Sequence, residues 1–147
     1  MSRLHDKLPP ASERLEANFW RALKMQLKLK RPEWLATRIE GAVTPGLPDV
    51  LLTDEIGRFH LVELKNCRTS HVRLSAHQIS FLIRQARQGA SVWVLCRQND
   101  TVFLFAGSQA IELAEGGLKN VSPVGRWEKP IDWDSVFTRI SAANPIH

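Results

Sequence analysis

The sequence predicts an α/β fold: a central mixed β-sheet flanked by helices, with a helical extension at the C-terminus. Three observations predict it. Two segments carry apolar side chains at helical spacing, one near the N-terminus and one in the middle of the chain. Between and after them lie two pairs of short apolar runs, each pair joined by turn residues. A helix separating one strand pair from the next is how a sheet acquires a parallel neighbour and covered faces.

The elements follow in order. Residues 1–11 are polar, contain Pro9-Pro10 and read as a loose arm. Ser12 is placed to cap a helix running to about Lys30, whose apolar face is Leu15, Phe19, Ala22 and Leu23. Arg31-Pro32 ends it, because a residue before proline avoids helical torsions. The stretch 34–43 is a candidate strand around LATRIEGA. Thr44-Pro45-Gly46-Leu47-Pro48 leads into a strand at Asp49–Thr53, and Asp54-Glu55-Ile56-Gly57 turns it into a partner at Arg58–Lys65. A basic loop spans 66–74. Ser75 then caps a helix to about Gln88, with Ile79, Leu82, Ile83 and Ala86 as its stripe and Gly89 as its stop. Ser91–Arg97 and Thr101–Ala106 are two further strands around Gln98-Asn99-Asp100. A short helix follows Ser108 and ends at Gly116-Gly117. A last amphipathic helix carries Trp133, Val136, Phe137 and Ile140. The expected organisation is a single domain over 1–147, its core at about 12–115 and its extension at 116–147.

Composition narrows the function. Of 147 residues, 44% are hydrophobic and 24% charged, which is ordinary for a globular domain. No apolar run approaches the roughly 20 residues that span a bilayer, and the N-terminus has no signal-peptide core. Cys67 and Cys96 are too few and too far apart for a CxxC pattern, and read as two reduced thiols in a cytoplasmic protein. The 20 Lys and Arg against 15 Asp and Glu leave +5. Such a balance suits a polyanionic partner, nucleic acid first among them.

The chemistry concentrates in RFHLVELK, residues 58–65. Alternation along a strand puts Glu63 and Lys65 on one face, with Phe59 and Leu61 further back on it and Val62 and Leu64 on the other. The strand is expected to be buried on both sides while ending in a carboxylate and an ammonium. A tight hairpin brings Asp49 beside Glu63, and two crowded carboxylates repel unless a cation bridges them. Hard cations such as Mg²⁺ take oxygen ligands of this kind. By position alone, the same residues also make an ordinary ion pair and a turn cap.

Pro48-Asp49, a gap of thirteen residues, then Glu63-Leu64-Lys65 resembles the PD-(D/E)XK nuclease signature. With Arg38-Ile39-Glu40, Gly46-Leu47-Pro48-Asp49 and Gln78, the chain is most similar to the VRR-NUC and Holliday-junction-resolvase-like branch, including small stand-alone phage nucleases. The likeness covers roughly 12–115, and the tripeptide that names VRR-NUC is absent. It implies a restriction-endonuclease-like core and Mg²⁺- or Mn²⁺-dependent hydrolysis of DNA phosphodiesters by activated water. It implies metal ligation by Asp49 and Glu63, with Glu16 from the first helix (Glu13 as its alternative), and catalytic roles for Lys65 and Gln78. Arg68, Arg73, Arg84 and Arg87 become candidate phosphate contacts, as do His71 and the cluster Lys24, Lys28, Lys30 and Arg31. Resolvase-like members cut branched DNA as two-fold dimers, so a homodimer is expected, with Trp127, Trp133 and Phe137 as candidate interface residues. A DNA-binding protein of the same fold without catalysis is the alternative; the intact Asp49/Glu63/Lys65 set speaks against it.

Overall fold

The computed structural model describes residues 11–39 and 44–142, with side chains from Leu15 onward. Among the described residues the chain runs α1 (Ala11–Lys30), β1 (Leu35–Arg38), β2 (Val50–Thr53), β3 (Phe59–Asn66), α2 (Ala76–Arg87), β4 (Val92–Gln98), β5 (Thr101–Ala106), α3 (Ala110–Asn120), β6 (Gly125–Glu128) and α4 (Trp133–Ser141). The six strands form one sheet in sequence order, antiparallel throughout except for β3 and β4. That parallel pair is the β3–α2–β4 crossover, and it makes the sheet mixed.

Helices cover both faces. On one, Phe19, Leu23 and Leu27 of α1 and Trp133, Val136, Phe137 and Ile140 of α4 bury against Val62, Leu64, Trp93, Leu95 and Leu104. On the other, Leu82 of α2 and Ala110, Leu113 and Leu118 of α3 pack on Val94, Cys96, Phe103 and Phe105. Alternate residues of one strand therefore serve two cores, and the β4 run VWVLC is apolar without interruption for that reason.

Most element boundaries lie within a residue or two of expectation. Ser75 caps α2, accepting from the Gln78 amide, and Gly89 stops it at φ +85°. Gly117 kinks α3 at φ +69°, where a Cβ would lie 2.4 Å from the Ser70 carbonyl oxygen. Four differences separate the structure from the expectation. The helix α1 already includes Ala11, so Ser12 lies inside it rather than ahead of it. Phe59 is 65% exposed rather than buried, because α2 covers the sheet only from the middle of β3 onward. Of the candidate strand at 34–43, β1 takes four residues, and Glu40 of the Arg38-Ile39-Glu40 motif lies outside the described residues. The C-terminal extension is not purely helical: GRWE forms β6, pairing with β5 from Leu104↔Gly125 to Thr101↔Glu128. Four residues with alternating exposure are too short a period to read without the neighbouring strand.

Candidate active site

The site forms at the C-terminal end of β3. The antiparallel ladder of β2 and β3 pairs Val50 with Val62, so the next step outward sets Asp49 opposite Glu63. The Leu64 amide donates to Asp49 Oδ2 at 2.8 Å, fixing that carboxylate just beyond the strand. The approach through Gly46-Leu47-Pro48 runs against the start of α2. Gly46 sits at φ +85°, and a Cβ there would lie 2.3 Å from the His77 carbonyl oxygen. Only glycine permits both the torsion and the contact, and through it the loop carrying Asp49 is held close to the helix carrying Gln78.

Glu63 is 3% exposed. Its Oε2 lies 3.6 Å from Lys65 Nζ and accepts from Gln78 Nε2 at 3.0 Å. Gln78 Oε1 accepts in turn from Lys65 Nζ at 3.3 Å and from the Ser75 amide at 3.0 Å. Burial and the nearby charge of Asp49 push the Glu63 carboxyl up to about 9, against the pull of Lys65; a hydrogen bond between the two carboxyls and the more distant charge of Glu16 add to the rise. Without a cation, Glu63 therefore keeps its proton at neutral pH.

Asp49, Glu63, Lys65 and Gln78 thus come together, and Glu16 is close enough for its charge to be felt. Glu13 has no described side chain. Among the described residues, no three His, Cys, Asp or Glu side chains form a ready-made ligand set. A divalent cation would rest on Asp49 and Glu63, completed by water and phosphate oxygens. That suits Mg²⁺, which is commonly held by one or two carboxylates plus substrate. The donor set fits: hard carboxylate oxygens, Glu63 buried and Asp49 half-buried, so close together that without a cation Glu63 holds a proton.

The basic residues divide by position. Arg68 and Arg73 are exposed on the loop that leaves this end of β3. Arg84 and Arg87 are exposed in the last turn of α2, at the far end of the helix from Gln78. Trp133 and Phe137 are buried, and Trp127 is partly buried with its indole donating to Ser135 Oγ, so these three do not form an open interface. They fill the core instead, because α4 and β6 complete the sheet's covering.

Several neighbours of the site have no local signal in the sequence. Asn66 donates to the Leu15 carbonyl oxygen, tying β3 to α1 beside the site. Cys67 and Cys96, distant in sequence, are both buried, and each thiol shifts the titration of the other; Cys96 pairs with Lys65 across β3 and β4. That interaction and the charge of Lys65 lower the Cys67 thiol despite its burial, while burial pushes Cys96 up. No local spacing announces a pair joined by a parallel crossover.

No protein-family model and no curated protein sequence matches the chain. Among solved structures, a Holliday junction resolvase from the archaeal hyperthermophile Archaeoglobus fulgidus aligns over 82% of this chain and 98% of its own, with a TM-score of 0.53 and 20% identity. The two proteins share a fold. It is the restriction-endonuclease-like arrangement, a mixed six-stranded sheet between helices. No helix among the described residues is long and apolar enough to cross a membrane.

Proposed function

We propose that this protein is a divalent-cation-dependent DNA nuclease of the PD-(D/E)XK type, acting on branched DNA. The observation that carries the reading is Glu63, a nearly inaccessible carboxyl forced against Asp49 at a strand end that also carries Lys65. A fold gains nothing from that crowding, whereas a site for Mg²⁺ and a phosphodiester needs it. A bound cation supplies Lewis-acid polarisation of a phosphoryl oxygen and a lowered pKa for water. The chain's own residues do the rest. Asp49 and Glu63 supply the anionic oxygens. Lys65 Nζ, held between Glu63 and Gln78, places positive charge where the phosphoryl group becomes more anionic. Gln78 fixes both side chains from the first turn of α2. Arg68 and Arg73 are placed to orient the DNA backbone without reading bases. Because Glu63 holds a proton, loading the site releases one, and cation affinity rises with pH.

The resolvase-like fold supports the branched substrate. All 147 residues are read as one domain, supported by β6 extending the sheet and α4 sharing a core with α1. The homodimer of this reading uses the part of the α2-side face, over β1, β2 and the start of β3, that α2 does not reach. There Leu35, Thr53 and Phe59 are register partners across β1, β2 and β3, and Leu35 and Phe59 are each 65% exposed.

The test is a cleavage panel of single strands, linear duplexes, flaps and four-way junctions with Mg²⁺, Mn²⁺, Ca²⁺ or EDTA. Cleavage with Mg²⁺ or Mn²⁺, none in EDTA and fastest turnover on junctions is expected. Salt-dependent binding to DNA with no cleavage under any condition supports the non-catalytic alternative.

A further inference from the structure

The helix α1 carries a charge pattern that the site does not use. Residues 17–32 contain no acidic side chain and five basic ones. Of these, Arg21, Lys24 and Lys28 stand at i, i+3 and i+7, all exposed, on the side of the helix turned away from Phe19, Leu23 and Leu27. Lys30 extends the series at the helix end. Arg31 is different, since Asp134 at 2.9 Å and Thr138 engage it. Lys24 lies 5.9 Å over the Trp20 ring, and Arg21 donates to Asn18. Neither contact neutralises a charge. Exposed helix faces normally interleave both signs, and like charges at i, i+4, such as Lys24 and Lys28, destabilise a helix. A stripe of one sign is a cost without an anion to meet it.

A second observation lies where α1 meets the site's end of the sheet. Arg97 is in register with Asn66, and its guanidinium stacks 4.6 Å over the Phe19 ring. Among the described residues it has no carboxylate partner, and burial lowers its pKa. A half-buried cation left unpaired beside a basic helix extends the positive surface from the stripe toward β3.

We propose that the outward face of α1, through Arg21, Lys24 and Lys28, binds the backbone of a second DNA arm while another arm enters the site. This rests on the nuclease reading and adds to it the surface that distinguishes branched from straight DNA. The placement carries the argument. The helix α1 covers one face of the sheet, and α2, whose capped start borders the loop of Arg68 and Arg73, covers the other. A straight duplex laid along one side does not reach both; two arms diverging at a junction do. The axial span from Arg21 to Lys28 is roughly 10 Å at 1.5 Å per residue, enough to touch more than one phosphate of a single strand.

The experiment measures binding and not cleavage, in EDTA, so failure of catalysis leaves it readable. The combined variant Arg21→Gln/Lys24→Gln/Lys28→Gln is compared with the wild type by fluorescence anisotropy against salt, on a four-way junction and on a linear duplex. On the junction the log–log slope is expected to shrink by about 2.7, at about 0.9 per lost phosphate contact. On the linear duplex it should shrink by less than about one unit, one contact's worth. The charge-retaining variant Arg21→Lys/Lys24→Arg/Lys28→Arg should restore the junction slope, which separates charge from any disturbance of the helix. Equal losses on both probes, or no loss on the junction, overturn the second-arm surface while leaving the nuclease reading in place. A wild type that binds neither probe overturns both.

Discussion

The two ends of β3 solve opposite problems with similar residues. At its start, His60 lies with Nε2 2.8 Å from Asp54 Oδ2 and Nδ1 2.6 Å from Ser91 Oγ. Arg58 donates to Asp54 Oδ2, the amides of Ile56 and Arg58 donate to Oδ1, and Trp93 donates to Ser91. Burial pushes Asp54 up, but hydrogen bonds from His60 and from the Arg58 and Ile56 amides outweigh it and hold the carboxyl down at about 2. At the other end, burial and Asp49 drive Glu63 up to about 9. One strand thus carries a satisfied carboxylate network and a frustrated one. Burial alone does not mark a functional acid; burial without enough donors does.

The largest expected effect lies at the frustrated end. Asp49→Ala, Glu63→Ala and Lys65→Ala should each lower the cleavage rate by at least about 10²-fold, the scale of losing one charge-stabilising group, with melting curves at or above the wild type. Turnover near normal in Glu63→Ala would move the site elsewhere.

The opposite behaviour is expected at the satisfied end. Asp54→Ala strips His60 and Arg58 of their shared acceptor inside the protein. The loss should be about 3–5 kcal/mol, as for one partner of a buried pair, or a melting temperature lower by about 10 °C at roughly 2–4 °C per kcal/mol. Cleavage per folded molecule should hold at temperatures where the variant stays folded. A matching loss of turnover there would couple the two ends and erase the distinction between them.

The two carboxyls also give opposite pH signs. Glu63 is raised above its usual 4.5 to about 9, so the native state holds an extra proton between those values. Its contribution is full below pH 4.5 and is lost as pH rises through about 9. Asp54 is depressed from 3.8 to about 2, so its contribution is present above pH 3.8 and lost as pH falls through about 2. Of these two carboxyls, only Glu63 changes its contribution between pH 5 and 9. The metal-free protein should become less stable across that range, and Glu63→Gln should flatten the dependence. At pH 8 the variant should be more stable than the wild type, because its amide avoids the cost of protonating the Glu63 carboxyl on folding. Thermal melts in EDTA check this; a wild-type melting temperature that rises steadily from pH 5 to 9 would contradict it.

The sequence exposed one end of β3 far better than the other. Asp49, Glu63 and Lys65 were legible because a hairpin fixes its own register: once the turn at 54–57 is placed, Asp49 must face Glu63. Ser75 was legible because a helix N-cap is a local pattern, and Gln78 only through the family resemblance; its capping box with Ser75 comes from the structure. The His60–Asp54–Ser91 network was not, since Ser91 reaches His60 only through the β3–α2–β4 crossover. Cys96 and Arg97 stayed hidden for the same reason. The strand β6 was missed because an edge strand takes its identity from the neighbour it pairs with, and Phe59 was misplaced because alternation gives the face of a residue but not what covers that face.

Gln78 belongs to both kinds of network, which makes its substitution the smallest and sharpest test. Its amide oxygen closes the capping box with Ser75 and also receives Lys65, while its amide nitrogen donates to Glu63. Gln78→Ala removes the cap and the bridge together, costing about 1 kcal/mol of stability and roughly tenfold in cleavage, as expected for a group that only positions others. Gln78→Glu separates the two roles. A carboxylate still accepts from the Ser75 amide and suits a helix N-terminus, so stability should be kept. It loses the donor to Glu63 and sets another negative charge beside it, so cleavage should fall at least as far as in Gln78→Ala, and the fall should deepen with pH as the new carboxyl ionises. A Gln78→Glu variant that cleaves at the wild-type rate across pH 6–9 would make Gln78 a helix cap alone, and would leave Lys65 and Asp49 to hold Glu63 in place.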